Sequence, residues 1–226
     1  EGRPCDLETF WNLLIGRDNV GEIPGEEEPG NQLAAVDVRW GRPFGAPMAF
    51  YTQWTAEDEA GNLPSRWIGM AGLEFFGYLD TEVLSGRWRA HVELADTTLE
   101  FYESAPRFDS AYEHSIYQSG YRYRNRVMGH TLDNDARALA AGLLLTTAHG
   151  HDWNLTLRAG ELNRGGVRPN PVAPHKQDLF LLGITHTRSF SFGAVRAGLE
   201  FDTIDDKVTG ASDDEIRGFV DFTWNL

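Results

Sequence analysis

Apolar and polar side chains alternate at every second position along much of this chain, and that pattern restricts its fold more than any other feature. In residues 87–95 one face reads Trp88, Ala90, Val92, Leu94 and the other Arg87, Arg89, His91, Glu93. Residues 152–160 set Trp153, Leu155, Leu157, Ala159 against Asp152, Asn154, Thr156, Arg158. Residues 195–202 set Val195, Ala197, Leu199, Phe201 against Arg196, Gly198, Glu200, Asp202. The final segment sets Ile216, Gly218, Val220, Phe222, Trp224, Leu226 against Arg217, Phe219, Asp221, Thr223, Asn225. Successive residues of a strand point to opposite sides, so a period of two predicts strands. Residues 32–40, 48–55, 67–79, 112–117, 121–128 and 179–188 are further candidates. Residues 136–147 fit a helix capped at Asn134 or Asp135. Leu139, Ala141, Leu143 and Leu145 also alternate with their neighbours there, and the strand reading is adopted. About eleven strands result.

The connections between them are uneven. Short turns are expected at 41–45, 118–120, 149–150 and 189–191, and longer polar ones at 57–64, 103–110, 130–135, 163–176 and 203–214. Short and long mostly alternate, as they do in membrane barrels with short periplasmic turns and longer outer loops. Carboxylates gather in the long set, at Glu26–Glu28, Glu57–Glu59, Asp133 and Asp135, Asp205 and Asp206, and Asp213–Glu215. The formal charge of −14 therefore reads as a one-sided acidic rim. It also argues against nucleic acid as a partner, because phosphates repel such a surface.

Cys5 is the sole cysteine, which excludes an intrachain disulfide and a cysteine-based metal cluster. The residues before Cys5 offer no apolar stretch for a lipid-attachment signal. No apolar run reaches the ~18 residues of a membrane helix. Nor is there a Gly-x-Ser-x-Gly elbow, a phosphate loop or a His-Glu-x-x-His helix. The chain closes on an amphipathic strand with aromatics at Phe222 and Trp224, a habit of outer-membrane barrels, although Leu226 stands where such barrels often carry an aromatic. An edge strand on a soluble core would have the same pattern.

Residues 121–141, YRYRNRVMGHTLDNDARALAA, resemble the tyrosine- and arginine-rich strand and the Gly-His…Asp-x-Asp-x-Arg segment of capsule-assembly Wzi proteins. FWNLLIGRDNVG (10–21), EPGNQLAAVDVRW (28–40), EDEAGNLPSRW (57–67) and HVELADTT (91–98) are similar to the same family, in the same order. The resemblance implies an all-β fold: an antiparallel, up-and-down transmembrane β-barrel, of which residues 1–226 form a single domain and the C-terminal portion. It further implies an outer-membrane location and a non-catalytic, lectin-like role. Capsular or extracellular polysaccharide and outer-membrane lipid are the implied partners.

Arg122, Arg124 and Arg126 alternate with Tyr121, Tyr123 and Asn125, which predicts three guanidiniums on one strand face. There they would pair with sugar carboxylates or join a lumenal network with Asp and Glu of neighbouring strands. His130, Asp133 and Asp135, with Arg137 in the same segment, complete the candidate polysaccharide site. An exposed acidic turn is the alternative for these residues. Asp133 and Asp135 lie too close in sequence to be placed by that spacing on opposite sides of a sugar, as glycosidases require. His149 and His151 flank a tight turn without an evident third metal ligand. No resident cofactor or metal is expected. A divalent cation bridging carboxylates on protein and polymer stays open beside direct arginine contact. Two further function classes stay open: a saccharide pore or transporter, and a soluble β-sandwich lectin or glycosidase.

Overall fold

The computed structural model describes residues 6–7, 10–11, 33–59, 64–81, 85–114 and 119–224. The acidic run Glu26–Glu28, Cys5 and the segment 115–118 lie outside them. Eleven strands follow in chain order: β1 (Ala34–Gly41), β2 (Met48–Glu59), β3 (Pro64–Asp80), β4 (Ser85–Asp96), β5 (Arg122–Tyr123), β6 (Arg126–Val127), β7 (Arg137–Thr147), β8 (His151–Leu162), β9 (Gln177–Phe190), β10 (Gly193–Asp206) and β11 (Ser212–Trp224). Nine of them form one antiparallel sheet in the order β1-β2-β3-β4-β7-β8-β9-β10-β11, and β5 pairs with β6 alone. This is an up-and-down meander in which each long strand follows its sheet neighbour in sequence. A sandwich is excluded among the described residues, since the sole other sheet is the two-residue pairing of β5 with β6. β1 and β11 are paired on one side only, as in part of a larger barrel.

The register separates the two faces cleanly. The rows Trp88–Leu145–Trp153–His186 and Val92–Ala141–Leu157–Leu182–Phe201–Ile216 lie on one side. Large apolar residues of that side remain exposed, among them Val38, Leu73, Val92, Leu155, Leu199 and Val220. In water so wide an apolar surface would drive association, whereas against lipid it is the expected exterior. The other face carries ion pairs between strands. Glu74 accepts hydrogen bonds from Arg39, at 2.8 Å, and from Arg89. Arg217 reaches Glu200 and Asp202, each at 2.7 Å. Tyr51 donates to Glu93 at 3.2 Å, lying where Gly72 has no side chain to obstruct the ring. A lumenal network of the expected kind exists, built from Arg39, Arg89 and Arg217.

Ring-bearing side chains cluster near both ends of the apolar face. Phe190, Phe192, Phe222 and Trp224 contact one another at the short turns. Trp54 stacks on Phe101 at 5.6 Å, and Phe180 meets Phe201 at 6.4 Å, toward the long connections. Phe180 and Phe190 share a strand and a face. At ~3.3 Å per residue and a tilt of about 40°, they stand roughly 25 Å apart across the sheet, the height of a lipid-facing band. Just beyond Phe180 the apolar face ends in a row of charge, Asp96–Arg137–Glu161–Asp178–Asp205. Its members are paired: Arg137 with Asp96 at 2.7 Å, Lys176 with Glu161 at 3.3 Å, Lys207 with Asp178 at 2.6 Å. The expected acidic rim is here a mixed belt at the water boundary.

Several boundaries differ from expectation. The strand expected at 112–117 begins in a turn, with Tyr112 at φ 62°, and 115–117 lie outside the described residues. Residues 97–136, expected to hold two strands and three loops, are a single excursion between β4 and β7. The long acidic loops at 57–64 and 203–214 are shorter, because β2 runs to Glu59 and β10 to Asp206 before β11 starts at Ser212. Strands of 13 to 17 residues exceed the ~9–11 that cross a bilayer, so their acidic ends extend past it.

An arginine at Leu155, on the apolar face, should cost about 2–4 kcal/mol of folding stability in a bilayer. Thr156→Arg should cost far less, because Thr156 lies on the polar face beside Gly183, where no neighbouring atom comes closer than 3.7 Å to an added Cβ and a long side chain finds room. Folding titrations into lipid vesicles compare the two, and equal costs would count against a lipid-facing exterior.

Candidate functional site

The excursion between β4 and β7 folds back over one end of the sheet and borders a half-open cavity of about 560 Å³. Gln53, Thr55 and Met70 line it from the polar face, Asp96 and Thr97 from the end of β4, and Tyr121 and His130 from the excursion. A small apolar core supports the roof: Ile68, Leu99, Ala111 and Tyr112 are buried together, with Leu33, Tyr121 and Val127 against them. A second core, Ala136, Leu162 and Ala173, lies where the connection 163–176 meets the excursion. The packed interior of this chain is thus found under its long connections.

Residues 121–128 form a tight hairpin and not the continuous strand expected. Arg122 pairs with Val127 and Tyr123 with Arg126. The two turn residues, Arg124 and Asn125, both have positive φ, 49° and 62°, the type I′ geometry that matches strand twist. Paired residues share a face, so Arg122 and Arg126 fall on opposite faces and Arg124 sits at the tip. Three guanidiniums on one face are excluded by this turn.

Arg122 turns inward. Its side chain is 8% exposed, and Asp133, its partner, is fully buried. Nε and Nη2 of Arg122 donate to the two carboxylate oxygens of Asp133 at 3.0 and 2.6 Å. Glu113 accepts a further contact at 2.6 Å. Burial acts to lower the Arg122 pKa, but the bonds to Asp133 and Glu113 outweigh it and hold the guanidinium above its usual value. Asp133 and Asp135 were expected in an exposed acidic turn if they were not ligands, and both are buried. Each takes a left-handed backbone conformation, φ 60° and 56°, and partners distant in sequence, Arg122 and the Asp109 N–H, hold the two carboxylates inside. Asn134 between them accepts a hydrogen bond from Asn170 at 2.8 Å, which ties the two long connections together.

Asp135 accepts the backbone N–H of Asp109 at 2.6 Å through Oδ2, while Oδ1 is buried without a hydrogen-bond partner. Desolvation pushes its pKa up to about 7, against the Asp109 N–H, which lowers it. Burial likewise lowers the pKa of His130, whose backbone N–H donates to the Tyr112 hydroxyl at 3.0 Å. Tyr112 is pushed up to about 12 by burial, and its ring stacks near Tyr121 at 6.3 Å. Arg137 lies on the apolar-face register, outside the cavity, and belongs to the charge belt through Asp96. Exposed Tyr123, Arg124 and Arg126 remain at the hairpin tip, with the Arg124 guanidinium 5.3 Å from the Tyr123 ring centroid.

Of the residues expected in the site, His130 lines the cavity, beside Gln53, Thr55 and Tyr121, which the expected site did not include. Their place on the polar face of β2 was legible, whereas the folding of residues 97–136 over them was not. Among the described residues no three carboxylate, imidazole or thiol groups lie close enough to hold a metal ion. Asp96 is, among the described residues, the one carboxylate of the cavity lining, and Arg137 and Arg164 hold it.

A partial membrane-type β-barrel, roofed by a polar and aromatic cavity beneath its longest connection, is the class these features define. The chain belongs to the capsule assembly protein Wzi family, whose model matches residues 1–212. A Klebsiella pneumoniae protein described as an uncharacterized 55.8 kDa protein in the cps region is 32% identical over 181 residues, which cover 79% of this chain and 34% of that one. The solved structure of Escherichia coli Wzi aligns with a TM-score of 0.68 at 23% identity, covering 99% of this chain and 43% of that one. That protein is described as an outer membrane protein involved in group 1 capsule assembly and a carbohydrate-binding β-barrel. The chain spans about a third of the length of the Klebsiella relative.

Truncating Arg122 to Ala leaves Asp133 buried without its cation and should destabilise the roof by about 3–5 kcal/mol. Proteolytic cleavage within 97–136 should rise while the sheet resists denaturation, and Arg122→Met with Asp133→Leu should recover part of the loss. Asp135 gives a pH signature. Its folded pKa lies above the unfolded value, so the stabilisation is fully present below about pH 4 and fades as pH rises through about 7. Roof protection should decline between those limits, and Asp135→Asn should flatten the dependence.

Proposed function

We propose that the protein holds capsular or related extracellular polysaccharide at the outer-membrane surface, as a non-catalytic, lectin-like barrel. Residues 1–226 are taken as one domain of that barrel, its C-terminal portion. The cavity under residues 97–136 carries this reading. It joins the ring of Tyr121 to neutral hydrogen-bonding groups on Gln53, Thr55 and His130, the chemistry that suits a sugar's apolar face and hydroxyls. Membership of a capsule assembly family and the carbohydrate binding described for the Escherichia coli protein support it.

An acidic polymer must approach a chain of charge −14. The exposed arginines of the hairpin tip, Arg124 and Arg126, meet it first, beside Tyr123. Arg122, Asp133 and Asp135 hold the roof in shape, and the carboxylates at the boundary are neutralised by Arg137, Arg164, Lys176 and Lys207. Direct contact is favoured over cation bridging because no loop here has the ordered ligand spacing of a calcium site, and among the described residues no three carboxylate, imidazole or thiol groups converge.

Arg124→Ala with Arg126→Ala should weaken binding of an acidic capsular polysaccharide roughly threefold to tenfold, the range of exposed charge pairs. Added salt should have less effect on the double variant than on the parent, and a chelator should leave both unchanged. Retention of capsule by cells that express each variant reads out the same loss. Abolition of binding by the chelator would assign the contact to a bridging cation. Saccharide conductance through planar bilayers, with capsule retention unaffected, would assign transport instead.

A further inference from the structure

The apolar face carries a second built feature, at the opposite end from the cavity. In the register of β8 and β9, His151 stands beside Arg188 and Trp153 beside His186. His151 Nδ1 and His186 Nε2 are hydrogen-bonded at 2.9 Å. The two imidazoles stack at 5.1 Å, and His186 lies 4.1 Å from the Trp153 ring centroid, nearly parallel to it. Arg188 donates through Nη1 to the carbonyl oxygen of His149 in the adjoining turn, and its guanidinium lies 5.6 Å from the Phe190 centroid. One donor of the guanidinium is thereby spent on holding it, and the rest of the fork is left for a ligand.

Charge on this face shows what is missing. At the far end, Arg137, Lys176 and Lys207 each have a carboxylate within 3.3 Å. Around Arg188 the outward-facing register positions are Thr147, Leu155, Ile184, Val195, Ala197 and Phe222, and none is acidic. Asp152 is adjacent in sequence but alternates onto the polar face. A guanidinium and two imidazoles are thus fixed in place on an apolar surface, level with the aromatic residues of the short turns. An interfacial Trp and a fixed cation at that level face the headgroups of the adjoining leaflet.

We propose that His151, His186 and Arg188 bind the phosphate diester of a glycerophospholipid in the leaflet bordering the short turns. The inference rests on the reading of the apolar face as the lipid-facing exterior. Arg188 supplies the planar fork that matches two phosphate oxygens, and the imidazole pair supplies a neighbouring N–H donor. The acyl chains lie along Leu155 and Ile184. A free anion would gain the same polar contacts but none of this apolar burial, which selects a lipid over inorganic phosphate.

Native mass spectrometry of the protein, expressed from its whole gene and purified in a mild detergent, tests the site with dioleoyl phosphatidylglycerol as probe. The parent should retain the lipid, and Arg188→Ala should lower retention about tenfold, as should His151→Ala with His186→Ala. Arg188→Lys, which keeps the charge and loses the fork, should fall between. Arg196→Ala, on the polar face, should retain lipid as the parent does. Diacylglycerol with the same chains should not be retained, and excess inorganic phosphate should not displace the phosphatidylglycerol. Equal retention by Arg188→Ala, equal retention of diacylglycerol, or displacement by inorganic phosphate would each overturn the proposal. Outer-membrane fractionation and heat-modifiable mobility of the parent keep the two readings apart. If the parent fractionates elsewhere, the membrane reading fails. If it is in the membrane and the lipid result is negative, only this site fails.

Discussion

In hydrocarbon an unpaired backbone N–H or C=O costs several kcal/mol, and the rest of this structure depends on meeting that demand. Antiparallel pairing with the next strand in sequence does so along the whole sheet, from β1 to β11. Once the backbone is satisfied in this way, side chains need only separate by face. Leu, Val, Ile and aromatic residues take the exposed apolar face, and Arg, Glu, Asp and Gly take the other. Among the described residues β1 and β11 pair on one side only, so their outer edges carry the donors and acceptors on which the same demand falls.

Charge is distributed by the same logic. On the polar face, Glu74 between Arg39 and Arg89, and Arg217 between Glu200 and Asp202, stitch adjacent strands together. The arginines of these pairs are half-exposed while Glu74 and Asp202 are buried, and ion pairs with an exposed partner contribute modestly to stability. Their effect is to fix register, because a one-residue slip would move each charge to the lipid side. Along the belt at Asp96–Asp205, arginines and lysines neutralise the carboxylates where the apolar band meets water. The belt itself therefore adds little to the net negative charge of the chain.

The strands were legible because alternation is a local signal that the barrel leaves intact. Residues 87–95, 152–160 and 195–202 all fall inside strands β4, β8 and β10. Even the ambiguous 136–147 resolves as β7, since its small residues on the polar face give room beside His91 and Arg158. The candidate site was less legible. YRYRNR has the period of a strand but contains an Arg-Asn turn whose positive φ values no alternation can signal. Asp133 and Asp135 looked exposed because acidic residues near Gly and Asn usually are. Their burial depends on Arg122 and on Asp109, Asn134 and Asn170, contacts that fold together three distant stretches of the chain.

That burial changes what the arginine-rich segment does. A buried ion pair gains little net stability, because desolvation offsets most of its Coulombic attraction, but it tolerates few arrangements. Arg122 has to meet both oxygens of Asp133, and Asn134 has to meet Asn170. Those conditions hold the roof in one position above Gln53 and Thr55. A roof packed only by Ile68, Leu99 and Tyr112 would have comparable affinity for the sheet and less definition. The segment that most resembles the capsule assembly family thus shapes the cavity with its buried half, and presents Tyr123, Arg124 and Arg126 to the exterior with the other. In the proposed role the two halves divide the work: the rigid cleft sets which sugar is held, and the exposed cationic tip sets how readily an acidic chain reaches it.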